Sequence, residues 1–128
     1  MQSPVTSPHL PAPGGFYSPA VRAGNLLFLS GQLPLDSHGR LIAGGIVEQT
    51  KQVLANLQHL LHAAGADLTH LVQVTIYIAG IDHWPLVNTT YAAFLAAVPV
   101  PPARAVVPVP ELHYGALIEM QAIAIVSV

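Results

Sequence analysis

Ile46-Val47-Glu48-Gln49-Thr50-Lys51-Gln52-Val53-Leu54-Ala55-Asn56-Leu57-Gln58-His59-Leu60-Leu61-His62-Ala63-Ala64-Gly65 is where the hydrophobic period of this chain changes. Val53, Leu54, Leu57, Leu60, Leu61 and Ala64 recur at helical spacing, and Lys51, Gln52, Asn56, Gln58, His59 and His62 take the remaining, polar positions. Gly65 is the expected stop. After a short connection, Ala66 to Thr69, the period becomes two. Val72, Val74, Ile76 and Ile78 alternate with Gln73, Thr75 and Tyr77, which reads as a half-buried strand. A helix followed directly by a one-faced strand points to helices packed on a sheet.

Working outward supports that reading. Upstream, Ala20–Ala23 and Leu26–Gly31 flank Gly24-Asn25 and read as a hairpin. The loop Pro34–Gly45 carries a turn at Ser37-His38-Gly39. Residues 1–15 hold Pro4, Pro8, Pro11, Pro13, Gly14 and Gly15, so they are expected to form a flexible arm that docks at Phe16-Tyr17 and supplies no helix or central strand. Residues 16–128 are expected to form a single domain. Downstream, Gly80–Pro85 turns into a second helix with Val87, Tyr91, Phe94, Leu95 and Val98 on its apolar face, closed by Pro99, Pro101 and Pro102. Ala103–Val109 and Ala116–Val126 are the last strands. The order ββαβαββ predicts an α+β two-layer sandwich, a mostly antiparallel sheet with two helices on one face.

Composition bounds the function. The 128 residues are 52% hydrophobic and only 8% charged, with net charge -2. Such a chain has little charge to cover its surface, and the sheet face without helices needs another cover, so an obligate oligomer is expected. Lys51, Arg22, Arg40 and Arg104 form no basic stripe, which argues against nucleic acid. No run is long and apolar enough for a membrane span. No basic-then-apolar leader opens the chain, so a cytoplasmic location is the expectation. The absence of cysteine removes thiolate nucleophiles and thiolate metal sites. His59 and His62 are three apart on a helix, but no third ligand has matching spacing; they and the other five histidines read as solvated side chains, with no metal.

The constellation with chemistry in it is Pro101-Pro102-Ala103-Arg104-Ala105-Val106-Val107, one arginine in an apolar run, together with Glu119 inside the apolar run Ala116–Val126. A guanidinium stays charged and needs an anion or acceptor. The two charges are either a buried structural ion pair or the poles of a small-molecule site. In the second case, the arginine fork suits a ligand carboxylate, and a carboxyl tuned by burial suits a proton or a water. Ser30, Asn88 and Tyr17 have plain structural readings as a turn residue, a helix-start residue and an anchor for the arm.

Several segments together resemble the RidA/YjgF family: Tyr17-Ser18-Pro19-Ala20, Gly24 through Ser30-Gly31-Gln32, Glu48-Gln49-Thr50 through Asn56-Leu57, Asn88 through Phe94, Pro102-Ala103-Arg104, and Gly115 through Glu119 to Ala124. The resemblance runs from about Tyr17 to Val126, nearly the whole chain. It implies a chorismate-mutase-like fold and a homotrimer with sheets inside, helices outside and a site in each subunit cleft. It also implies cofactor-independent hydrolysis of 2-imino acids or their enamine tautomers (2-iminobutanoate, 2-iminopropanoate) to 2-oxo acids and ammonia. On that resemblance Arg104 clamps the substrate carboxylate and Glu119 holds the attacking water or relays a proton. Tyr17, Ser30 and Asn88 wall the pocket, Gly31 lets backbone approach the ligand, and the Val106 backbone contacts the imine end. One departure stands out: Ala105 and Val106 occupy positions where many members carry serine and then cysteine. Two other readings use the same residues differently. A binding or sensing module for 2-oxo or 2-imino carboxylates needs the clamp but no turnover, and a holdase-like regulatory protein is indifferent to Arg104.

Overall fold

In the computed structural model, which describes residues 2–127, eight regular elements follow the expected order with one addition. They are β1 (Gln2–Val5), β2 (Ala20–Ala23), β3 (Leu26–Gln32), α1 (Ile46–Ala63), β4 (Leu71–Ile78), α2 (Trp84–Phe94), β5 (Ala103–Pro108) and β6 (Ile118–Ile125). They make one six-stranded sheet in the order β1-β2-β3-β6-β4-β5. Every pairing is antiparallel except β4 with β5. That parallel pair needs a crossover, and α2 supplies it.

α1 is helical for the reasons its sequence suggests. Glu48 Oε1 accepts from the Gly45 backbone N–H at 2.8 Å, half of a capping box, and Gly65 adopts φ +77 just past the end. Val53, Leu54, Leu57, Leu60 and Leu61 are fully buried, and Val74, Ile76, Ile78, Ile118, Met120 and Ala124 complete the core. Val74, Ile76 and Ile78 of β4 and the even-numbered residues of β6 therefore face the helices, while Gln73, Thr75, Tyr77, Glu119, Gln121 and Ile123 face the other way.

Several expectations need correction. Val72 is 44% exposed rather than part of the core stripe, because a bulge between Leu71 and Gln73 turns it outward and leaves Leu71 in the core. Asn56 is buried, not solvated: its Nδ2 donates to Leu33 O and Leu35 O, both at 3.0 Å, and pins the loop before α1. α2 ends at Phe94, ahead of Pro99, so the prolines follow the helix end without forming it. The first residues of the arm pair with β2 as an edge strand, a position that tolerates Pro4. The arm is not anchored at Phe16, which is fully exposed, or at Tyr17, which is 55% exposed. Its anchor is the turn Ser7–Leu10, with Ser7 buried and Leu10 packed on the core.

His9, next to that turn, stacks on His59 of α1 with ring centroids 4.4 Å apart, so His59 is not a solvated surface histidine. Partial burial, then the neighbouring His9 and His62, push the His59 pKa below its ordinary 6.5. The folded state thus resists a proton that His59 of the unfolded chain accepts near pH 6.5. The stability this contact contributes is present above about that pH and is lost as pH falls through it. The expected result is a melting temperature that declines on acidification from pH 7 to 5, with a shallower decline in His59→Gln. Equal slopes in the two proteins would show that the stack carries no linkage.

Candidate functional site

The two charges singled out in the sequence do not meet within one chain. Arg104 pairs in register with Val74, a core residue, and so projects on the helix side of the sheet. Glu119 pairs with Tyr77 and projects on the opposite face. β4 lies between their strands, and three residues of β4 separate the two register positions, so their Cα atoms are roughly 14 Å apart by ordinary sheet spacing. The buried-ion-pair alternative is therefore excluded inside a subunit. Among the described residues the one salt bridge is His70–Asp67, which involves neither.

On the helix side, Arg104 Nη1 donates to Asn88 Oδ1 at 3.1 Å. The guanidinium carbon lies 4.7 Å from the Trp84 ring centroid and 5.1 Å from that of Tyr91. The arginine is exposed, and one of its five N–H donors is taken by Asn88. Val106, two residues along β5, packs its side chain partly against the core.

On the other side, the Glu119 carboxylate lies against Gly31. A Cβ built on Gly31 would sit 2.1 Å from Glu119 Oε2, so only glycine leaves room for this carboxylate. Burial pushes the Glu119 carboxyl above the usual carboxylate value, and the nearby His113 pulls it part of the way back. The Ser30 hydroxyl donates to Ser18 O at 2.7 Å and so fixes the segment that leads out of Tyr17. Next to this group is a cavity of about 330 Å³. The arm residues Leu10 to Gly15 wall it on one side, with Tyr17, Gly31, Gln32, Asn56, His113 and Tyr114 around the rest.

Of the expected site residues, Ser30, Gly31 and Glu119 thus lie together, with Tyr17 lining the cavity beside Gly31, while Arg104, Asn88 and Val106 are on the helix side of the sheet. Sequence reading missed Trp84, His113 and Tyr114. Trp84 and Asn88 are one helical turn apart, a spacing that was available in the sequence. Tyr114 carried no sequence signal: it holds a left-handed φ of 62 beside Gly115 at φ 72, the kind of strained backbone that collects at functional sites.

Among the described residues no group of three or more His, Asp or Glu is placed to hold a metal ion. No helix among them is long and apolar enough to cross a membrane.

Comparison with known proteins places this geometry. The family model described as endoribonuclease L-PSP matches residues 7–126. A RutC family protein of Pyrococcus horikoshii is 38% identical over 97% of this chain and 98% of its own length. The goat 2-iminobutanoate/2-iminopropanoate deaminase is 38% identical over 94% of this chain and 88% of its own. Among solved structures, Escherichia coli TdcF with bound serine superposes with a TM-score of 0.91 at 26% identity, covering 98% of this chain and 99% of that one. Sequence similarity and overall superposition thus agree over nearly the whole chain, and this chain belongs to the endoribonuclease L-PSP family, also called YjgF/RidA.

Proposed function

We propose that this protein hydrolyses 2-imino acids such as 2-iminobutanoate and 2-iminopropanoate to 2-oxo acids and ammonia, as a homotrimer. The observation that carries the reading is Arg104: a permanent cation, exposed, held by an amide and two aromatic rings and by no carboxylate among the described residues. Two of its free N–H donors match the two oxygens of a substrate carboxylate. The names of the animal relatives support the same substrate class.

The chemistry asks little of the protein, because the imine carbon is already electrophilic. With the carboxylate clamped, a water held by Glu119 adds its oxygen to C2, and the C=N pair of electrons moves to nitrogen. Glu119 takes the proton from the water and hands it to that nitrogen. In the collapse of the carbinolamine, Glu119 passes the hydroxyl proton to nitrogen, the O–H electron pair forms the C=O bond, and the C–N bond breaks to release ammonia. A carboxyl whose pKa is raised by burial suits both halves of the transfer. Tyr17 and Gly31 wall the side where water sits, Ser30 holds the Tyr17 segment in place, Asn88 orients Arg104, and the Val106 backbone faces the imine end. No cofactor enters.

Because Arg104 and Glu119 project from opposite faces of one sheet, the reading requires that one subunit's Arg104 side meet a neighbour's Glu119 side. The helix-free face supports such an assembly: Phe28, Val107 and Ile125 are each more than a third exposed on it. Sedimentation is expected to give a species near three times the 13.5 kDa chain mass. A monomer at micromolar concentration would overturn the two-subunit site.

The activity itself is tested by generating the imine with an amino-acid oxidase or threonine dehydratase while semicarbazide competes for it. Suppression of semicarbazone formation by the wild type is the expected result. A second reading, a carboxylate-binding module without turnover, is favoured by the serine bound to TdcF and by Ala105-Val106. Ligand binding without suppression for any imine would favour it. The ribonuclease in the family description draws no support from Arg22, Arg40, Lys51 and Arg104, which stand on four separate segments.

A further inference from the structure

Trp84, Asn88 and Tyr91 follow one another at i, i+4 and i+7 along α2, which sets all three on the helix face turned to Arg104. The way they hold the guanidinium is chemically specific. A carboxylate in the same place would cancel the charge and occupy the donor fork. Aromatic faces attract a cation through their quadrupole, accept no N–H bond in the guanidinium plane, and leave the charge in place. Asn88 takes one donor through a neutral oxygen.

Tyr91 adds an independent observation. It is 6% exposed, and its hydroxyl is buried with no hydrogen-bond partner. Such a hydroxyl weakens packing relative to a bare ring. Its surroundings therefore use the ring, and the ring's polar neighbour is Arg104.

We propose that Trp84 and Tyr91 are positioning residues for Arg104, an aromatic bracket that fixes the guanidinium while leaving its charge uncompensated, and so set the site's preference for a carboxylate over a neutral ligand. This deepens the reading of Arg104 as the carboxylate clamp and rests on it. The bracket explains how an exposed arginine of a charge-poor chain is kept in one place without a counter-ion. It also separates two jobs: in-plane donors for the ligand, ring contacts for orientation.

The test compares binding of 2-oxobutanoate and of its neutral analogue 2-oxobutanamide by calorimetry, using the full-length oligomer. The wild type is expected to prefer the carboxylate. Tyr91→Leu and Trp84→Leu are each expected to lower that preference by about fivefold, the scale of a cation–π contact at an exposed site. Tyr91→Phe, which keeps the ring, is expected to restore what Tyr91→Leu loses, with a melting temperature equal to or above that of the wild type. A role in packing alone would change the melting temperature and leave the carboxylate-to-amide ratio untouched. Because Tyr91 is in the core and its leucine variant can fail to fold, the half-buried Trp84 provides the second arm. A preference lost in Arg104→Ala but kept in Trp84→Leu, or a Tyr91→Phe protein as impaired as Tyr91→Leu, overturns the bracket and leaves the clamp standing. A preference kept in Arg104→Ala, or absent from the wild type, overturns the clamp and the bracket together.

Discussion

Arg104→Ala is expected to lose imine hydrolysis by at least about a hundredfold, since two charge-assisted hydrogen bonds are together worth roughly 3 kcal/mol or more. The fold has no stake in the residue. Arg104 is exposed, sits on the edge strand β5, and makes one side-chain hydrogen bond. The melting temperature and the sedimentation coefficient should therefore match the wild type. Arg104→Lys is the sharper comparison. It keeps the charge but replaces a planar fork with a point donor, and it loses the flat surface that lies against Trp84 and Tyr91. It is expected to recover only a small part of the activity. The coupled semicarbazide assay reads both variants, and a wild-type rate in Arg104→Ala would remove the residue from the site.

Gly31→Ala is expected to have the second-largest effect, and by a different route. The new Cβ falls 2.1 Å from Glu119 Oε2, 3.1 Å from Cδ and 3.4 Å from Cγ. All three atoms belong to the end of a flexible side chain, so the carboxylate can swing away and the fold survives. What does not survive is the position from which Glu119 is proposed to hold water. A displacement of an ångström or more at a group that moves a proton costs about a hundredfold in rate. The expected signature is a lowered kcat with KM nearly unchanged, because the proposed carboxylate clamp at Arg104 is untouched, and with a melting temperature close to that of the wild type. A fully active Gly31→Ala protein would mean that the position of Glu119 does not matter to the reaction, and the proton relay would have to be assigned elsewhere.

The secondary structure and layer order follow from local chemistry, and that is why they were legible in the sequence. The switch from a 3.6-residue to a two-residue period at Gly65, the Gly24-Asn25 turn and the alternation from Val74 to Ile78 are each properties of a few neighbouring residues. The chemical character of Arg104 and Glu119 was legible for the same reason: a charge in an apolar run needs a partner wherever it folds. Their relation to each other was not. Both sit in strands, but which face each takes depends on register across β4, and register is fixed by the bulge at Leu71–Gln73 and by packing under α1, neither of which has a local signal. The same holds for Asn56, which looks like a surface residue by helical phase and is buried because the loop carbonyls of Leu33 and Leu35 need donors. It holds too for His59, whose neighbour His9 lies 50 residues away in the chain and 4.4 Å away in space. The residues themselves declare the kind of chemistry this chain can do; tertiary packing places the two charges back to back on one sheet, because side chains in neighbouring strands share a face only when their registers agree.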